Sequence, residues 1–313
     1  MKAVDIFEAK SASPMLIAEQ KEPFDSPGYL YELKLDGERC LAYLDTNGTV
    51  LQNKRKLILN PRYPELTGIH KAVKRRCILD GELAILKNGK PAFSEVQRRS
   101  LLSNPFRINL ASKKFPACFT AFDILYVGDR QITDLPLLKR KNLLDKLVSE
   151  NEQLAVSRYI VGRGTAFYDL TVKQDLEGIV AKRRDSLYVM GKRTKDWIKI
   201  KNLKDEDFVV CGYLEKGNNV VSVVLGQYRE DSLICKGHVT LGVSRESFQR
   251  IAAQKKLPAP PFSVSKDDKH AVWLEPELVC TVKYMEKTKA GSLRQPVFKG
   301  LREDKRAEEC IEL

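Results

Sequence analysis

The chain has no apolar run near the ~18 to 20 residues that a membrane helix needs. Its start, "MKAVDIFEAK", carries no apolar stretch after its charges. Neither a membrane span nor a secretory leader is expected. There is also no C-x-x-C pair. The seven cysteines (Cys40, Cys77, Cys118, Cys211, Cys235, Cys280 and Cys310) are scattered and odd in number. That argues against a zinc ribbon or a disulfide framework and suits reduced thiols in a cytosol. Both common phosphate-cradling loops are missing: neither G-x-x-x-x-G-K-[ST] nor G-x-G-x-x-G occurs. A nucleotide bound here would have its phosphates held by lysine point charges rather than by a glycine-rich loop. No internal repeat or low-complexity tract is present.

What is present is size and positive charge. At 313 residues, two domains are expected. The net charge is +13, and residues 1–204 hold all of the excess, with 37 Lys and Arg against 24 Asp and Glu. Residues 205–313 balance at 17 against 17. A basic region of this size suits a phosphate-rich partner, although a merely soluble basic surface has the same composition.

Four segments of the basic region read as strands with charges on one face. In "YELKLDG" (31–37), Tyr31, Leu33 and Leu35 alternate with Glu32, Lys34 and Asp36. "CILDGELAIL" (77–86) sets Asp80 and Glu82 opposite Leu79, Leu83 and Ile85. "EGIVAKR" (177–183) runs from Glu177 to Lys182, and "DWIKIKN" (196–202) aligns Trp197 with Lys199 and Lys201. "CFTAFDILYV" (118–127) is a mostly apolar strand. One charged strand face is ordinarily solvated surface. Four that converge would instead line a pocket of lysines and carboxylates, suited to a nucleotide and a divalent metal. Helices are expected at 135–150, with Pro136 near the start, and at 93–102, opened by Ser94. Beyond "KNLKDED" (201–207), short strands joined by Gly and Asn turns predict a small β-barrel with a helix near 244–255. The expected architecture is thus an α+β domain over 1–203 and a barrel over 204–313.

"KLDGER" (34–39) matches the K-x-D-G-x-R signature of the covalent nucleotidyltransferases. "DGE" (80–82), "FD" (122–123), "EGIVAK" (177–182) and "WIKIK" (197–201) follow in that family's order. The tail "KAGSLRQPVFKGLRED" (289–304) is similar to the end of the ligase module of bacterial non-homologous end joining. The chain therefore resembles an ATP-dependent DNA ligase, with an adenylation domain followed by an oligonucleotide-binding barrel.

The resemblance implies roles by position. Lys34 would attack the α-phosphate of ATP. The attack needs the neutral amine, which neighbouring cations and desolvation favour, and Lys199 and Lys201 would supply such cations while holding phosphates. Glu32 would read the adenine amino group, and Phe122 would stack on the ring. Glu82 would contact ribose or metal, and Glu177 would hold Mg²⁺ or Mn²⁺. Arg39 would grip ribose or a DNA 5′-phosphate, and Asp36 and Gly37 would shape the turn. Lys54, in "QNKRK", stands where the family usually has an arginine. Arg294, Arg302 and Lys305 would orient pyrophosphate. Nicked duplex DNA is the implied partner, with a Ku-type end-binding protein beside it. A monomer in the bacterial cytosol is expected, gripping DNA without a helical DNA-binding domain, and "KNLKDED" is the expected hinge. The competing enzymes are an RNA ligase or a GTP-preferring capping enzyme. A non-catalytic nucleic-acid-binding module is the alternative of another class, and it would need neither Lys34 nor ATP.

Overall fold

A computed structural model describes residues 5–217, 220–264, 268–288 and 291–312. Residues 1–4, Asn218 and Asn219 of the expected turn, and Lys289 and Ala290 of the tail motif lie outside the described residues. The chain divides into two compact units, residues 1–202 and 203–313. Among the described residues no helix is long and apolar enough to cross a membrane.

In the first unit the strands are β1 (Leu16–Glu19), β2 (Tyr29–Leu33), β3 (Glu38–Asp45), β4 (Gly48–Asn53), β5 (Cys77–Lys87) and β6 (Lys90–Pro91). They continue with β7 (Ala117–Val127), β8 (Arg130–Gln131), β9 (Leu154–Val156), β10 (Tyr159–Val161), β11 (Gly178–Arg183) and β12 (Arg193–Lys201). The helices are α1 (Phe93–Ser100), α2 (Pro105–Lys114), α3 (Leu137–Leu147) and α4 (Gly164–Lys173). One sheet has the order β1-β12-β11-β2-β10, and a second runs β4-β3-β5-β7-β8.

The alternation along β5 decides how the second sheet packs. Cys77, Leu79, Leu83 and Ile85 enter a core with Val96 of α1 and Leu144 and Leu147 of α3. Ile78, on the other parity, packs between the sheets with Leu30, Leu41, Tyr43 and Trp197. The first sheet is covered on its far face as well: Tyr31, Ile179, Ala181 and Ile200 pack with Phe167 and Tyr168 of α4. Strand β2 is therefore buried on both faces, and its charged face does not meet solvent. Glu32 is only 2% exposed. The α1 helix begins at Phe93, and no side-chain cap is made at Ala92, so Ser94 lies inside the first turn rather than opening it.

The "FD" motif splits in function at this level. Asp123 forms a fully buried pair with Arg140 of α3, Nε to Oδ1 and Nη2 to Oδ2, both 2.8 Å. Arg140 also donates to the Ser186 carbonyl at 3.0 Å. Paired and multiply hydrogen-bonded charges of this kind bolt β7 to α3.

The second unit contains β13 (Lys204–Glu215), β14 (Val221–Arg229), β15 (Ser232–Val239), α5 (Arg245–Ala252), β16 (Val272–Trp273), β17 (Val279–Tyr284) and β18 (Val297–Arg302). Its antiparallel sheet has the order β15-β14-β13-β17-β18. A parallel bridge from Leu241 to Val297 joins the two ends, closing the sheet around Phe208, Val223, Leu225, Val282 and Phe298. This is the oligonucleotide-binding type of small barrel. Ser244 caps α5 through a bond from the Ser247 amide at 3.1 Å. β13 starts at Lys204, so most of "KNLKDED" is strand, and Asn202 and Leu203 alone separate it from β12.

Candidate active site

Residues paired directly across neighbouring strands point to the same face. On the first sheet this stacks three rows. Leu30, Lys182 and Trp197 share one row, and Glu32, Val180 and Lys199 share the next. In the third, the Lys34 amide donates to the Gly178 carbonyl at 2.9 Å, and Gly178 pairs with Lys201. The second sheet answers with Arg39 opposite Glu82 and with Phe122 of β7. Between them a narrow cleft is lined by Glu32, Lys34, Arg39, Glu82, Phe122 and Lys182.

Two glycines permit this approach. A Cβ on Gly37 would lie 2.1 Å from the Leu83 carbonyl oxygen, so the turn carrying Lys34 could not seat against β5. Gly178 has φ +126°, and a Cβ there would lie 2.1 Å from the Ile200 oxygen.

Lys34 Nζ is ion-paired with Glu177 at 2.6 Å. The cations expected beside it are engaged elsewhere: Lys199 and Lys201 meet Glu19 at 3.0 and 3.5 Å. Arg39 lines the cleft 5.3 Å from the Phe122 ring, but its guanidinium holds Asp80 in a bidentate pair at 3.1 and 2.7 Å. Burial alone opposes the Arg39 charge, yet Asp80 holds its pKa above the usual arginine value. Burial pushes Glu82 up to about 8. Lys34 and Arg39 pull against the rise, and Glu177 and Asp80 add to it. Lys54 lies in the exposed turn after β4. It faces a second, open cleft, shared with Arg39, Glu82, Arg55 and Arg62. In the other unit, Arg302 and Lys305 converge on Asp207 at 3.4 and 3.0 Å. Arg294 pairs with Glu286 beside Met285, while Arg302 sits opposite Val279. Six residues of extended strand separate those ends by roughly 20 Å.

Sequence reasoning missed Lys141 and Ser157. Glu32 is held by Lys141 at 2.8 Å, Lys182 at 2.9 Å and the Ser157 hydroxyl at 3.0 Å. Lys141 reads in sequence as one more surface charge of a helix, and its burial follows only from how α3 packs. Burial opposes the Glu32 charge, but the two lysines hold its pKa below the ordinary carboxylate value of 4.5. Stability from this group is therefore present above pH 4.5 and is lost as pH falls through the lower folded value. Glu32→Gln should melt lower than the parent at pH 7, with a deficit of about 3–5 kcal/mol from the two stranded lysines. That deficit should shrink below pH 4.5. Melting curves across pH check it, and a gap that stays constant with pH would contradict the account.

Among the described residues no group of three or more His, Cys, Asp or Glu side chains forms a metal cage. Glu82 and Glu177 beside Lys34 fit a different binding mode, in which a hard divalent ion takes one or two carboxylates and completes its shell with phosphates and water.

Such a cleft, joined in sequence to an oligonucleotide-binding barrel, defines a two-domain nucleotidyltransferase. The model of the ATP-dependent DNA ligase domain matches residues 9–201, and that of the ATP-dependent DNA ligase C-terminal region matches 216–305. The chain belongs to the ATP-dependent DNA ligase family, whose enzymes form phosphodiester bonds using ATP and a divalent metal. It is 29% identical over 322 residues to the multifunctional non-homologous end joining DNA repair protein LigD of Mycobacterium tuberculosis, covering 98% of this chain and 40% of that protein. The chain thus spans about two-fifths of the length of that relative. It is also 29% identical to the SPbeta prophage-derived DNA ligase-like protein LigB of Bacillus subtilis, covering 93% of this chain and 98% of that one. Among solved structures, a mycobacterial DNA ligase D complexed with ATP and MES aligns with TM-score 0.57 and 28% identity, over 96% of this chain and 98% of that chain.

Proposed function

We propose that this chain is a DNA ligase that joins 5′-phosphate and 3′-hydroxyl ends at nicks in duplex DNA, in DNA repair. The observation that carries the proposal is Lys34, set at 2.6 Å from Glu177 in a cleft with Glu32, Arg39, Glu82 and Phe122. In the first step the Lys34 amine forms a P–N bond to the α-phosphorus of ATP and pyrophosphate leaves. The AMP then passes from Lys34 to the DNA 5′-phosphate. Finally the 3′-hydroxyl attacks that phosphorus, and AMP departs as the phosphodiester forms.

The chain's own groups divide the work. Lys34 must give up its proton before attack, and Glu177 is the carboxylate placed against that ammonium. Phe122 offers a ring face to the adenine, and Glu32 an acceptor to its amino group. Arg39, fixed by Asp80, presents a permanent positive charge at the cleft. Lys199 and Lys201 would hold phosphates after release from Glu19, and Lys54 would contact ribose or DNA. Glu82 and Glu177 would hold Mg²⁺ or Mn²⁺, which supplies positive charge against the phosphates. The orienting of pyrophosphate falls to Arg302 and Lys305, which share Asp207, while Arg294, roughly 20 Å along the strands, is the weaker candidate. Residues 1–203 serve as the adenylation domain and 204–313 as the DNA-facing barrel. Similarity to LigD supports a place in end joining; a bacterial cytosol and a Ku-type partner are proposed alongside it.

The test is sealing of a 5′-phosphorylated nick with ATP and Mg²⁺, run in parallel on DNA and RNA duplexes. A joined DNA strand is expected. Joining of RNA alone would transfer the chain to the RNA ligases. Binding without joining would leave a nucleic-acid-binding module.

A further inference from the structure

Lys141 is 3% exposed and is absent from the cleft lining. Its ammonium nevertheless meets three acceptors on three separate segments. These are Glu32 Oε1 on β2 at 2.8 Å, the Phe122 carbonyl on β7 at 3.2 Å and the Ser157 carbonyl after β9 at 3.1 Å. The two carbonyls accept hydrogen bonds from the ammonium, and Glu32 meets it as an ion pair. Two of the segments carry the side chains that face the cleft for adenine, Glu32 and Phe122. The third carries the Ser157 hydroxyl, which donates to Glu32 Oε2 beside Lys182 Nζ.

The Glu32 carboxylate offers about four lone-pair positions. Lys182 and Ser157 donate to Oε2, whereas Oε1 meets Lys141 as an ion pair only. Oε1 accepts no hydrogen bond, which leaves it to receive one from a base, and the Lys141 charge 2.8 Å away holds it in place. Charge alone does not require this lysine, since Lys182 by itself would neutralise Glu32. What Lys141 adds is a fixed relation between the carboxylate, the strand of the stacking ring and the loop behind them.

We propose that Lys141 is a positioning residue for base recognition: it holds Glu32 and the Phe122 strand in register, so that the cleft selects purines bearing a 6-amino group. It touches neither nucleotide nor reacting atoms. The inference rests on the assignment of the cleft as an adenylation site.

The experiment compares the parent protein, Lys141→Met and Lys141→Arg. Self-adenylation is measured with ATP and with purine riboside triphosphate, which lacks the 6-amino group, and KM and kcat are taken for each. Melting temperatures are recorded alongside. For Lys141→Met the KM for ATP should rise about tenfold, while kcat stays within about threefold and the KM for the analogue moves less than about twofold. The preference for ATP then falls about fivefold or more. Lys141→Arg keeps the charge, but a bulkier planar guanidinium does not reproduce the two carbonyl bonds and the close ion pair of a compact ammonium, so it should fall between. A purely structural role would shift both nucleotides equally, and that outcome overturns the inference. So does unchanged preference in Lys141→Arg, which decides the matter if the methionine variant fails to fold. A parent protein that does not adenylate with ATP would instead remove the adenylation reading itself, and this inference with it.

Discussion

Lys34→Ala protein incubated with ATP and Mg²⁺ gains no mass, whereas the parent gains one AMP that added pyrophosphate removes. The expected loss in self-adenylation is at least about 10⁴-fold, the scale of deleting a covalent nucleophile. No neighbour can substitute. Lys182 is buried against Glu32 and sits 4.2 Å from the Phe122 and Trp197 ring centres. Lys199 and Lys201 are turned to Glu19. The fold should survive, because Lys34 is partly exposed and follows the last residue of β2. Intact-mass measurement of both proteins decides the point. Equal AMP incorporation would place the nucleophile elsewhere, and no incorporation in either, with none carried through purification, would remove the covalent mechanism.

Gly37→Ala should lose activity nearly as severely, for a different reason. The added Cβ would meet backbone, at 2.1 Å from the Leu83 oxygen and 2.9 Å from its carbon, with Glu82 Cγ at 3.0 Å. Backbone in the middle of a sheet does not yield cheaply, so the turn must move, and Lys34 moves with it, away from its place against Glu82. A displacement near 1 Å in a reacting pair costs about 100-fold, and that loss in sealing is expected. The protein should remain folded, since the turn is local. Sealing rates and melting curves together test this. Full activity would mean that the Lys34 turn seats some other way.

How much of this was legible in the chain depended on the residue. The alternation of β5 separated Leu79, Leu83 and Ile85 from Asp80 and Glu82, because a two-residue period marks faces directly. The same period in β2 could not reveal that the face of Glu32 is interior. A polar cleft between two sheets and open water call for the same side chains. The family resemblance carried by the "FD" and "EGIVAK" motifs pointed to Phe122 and Glu177, but not to their partners. Arg140 and Lys141 sit side by side in "LLKRKNLL", and nothing local distinguishes them from Lys139, which is exposed. Their burial arises from packing between elements distant in sequence. The pairing of Lys199 and Lys201 with Glu19 was equally hidden, since Glu19 lies about 180 residues away and carries no motif.

That last pairing gives the protein an internal stand-in for its substrate. Burial opposes the Glu19 charge, yet Lys199 and Lys201 hold its pKa below the ordinary carboxylate value. A carboxylate is thus already stationed where, on the proposed assignment, phosphate oxygens come to rest. Nucleotide entry then becomes an exchange of one anion for another across two fixed cations. The gain from the newcomer is a difference between two similar attractions, and the displaced Glu19, half exposed on β1, is free to turn back as soon as pyrophosphate departs.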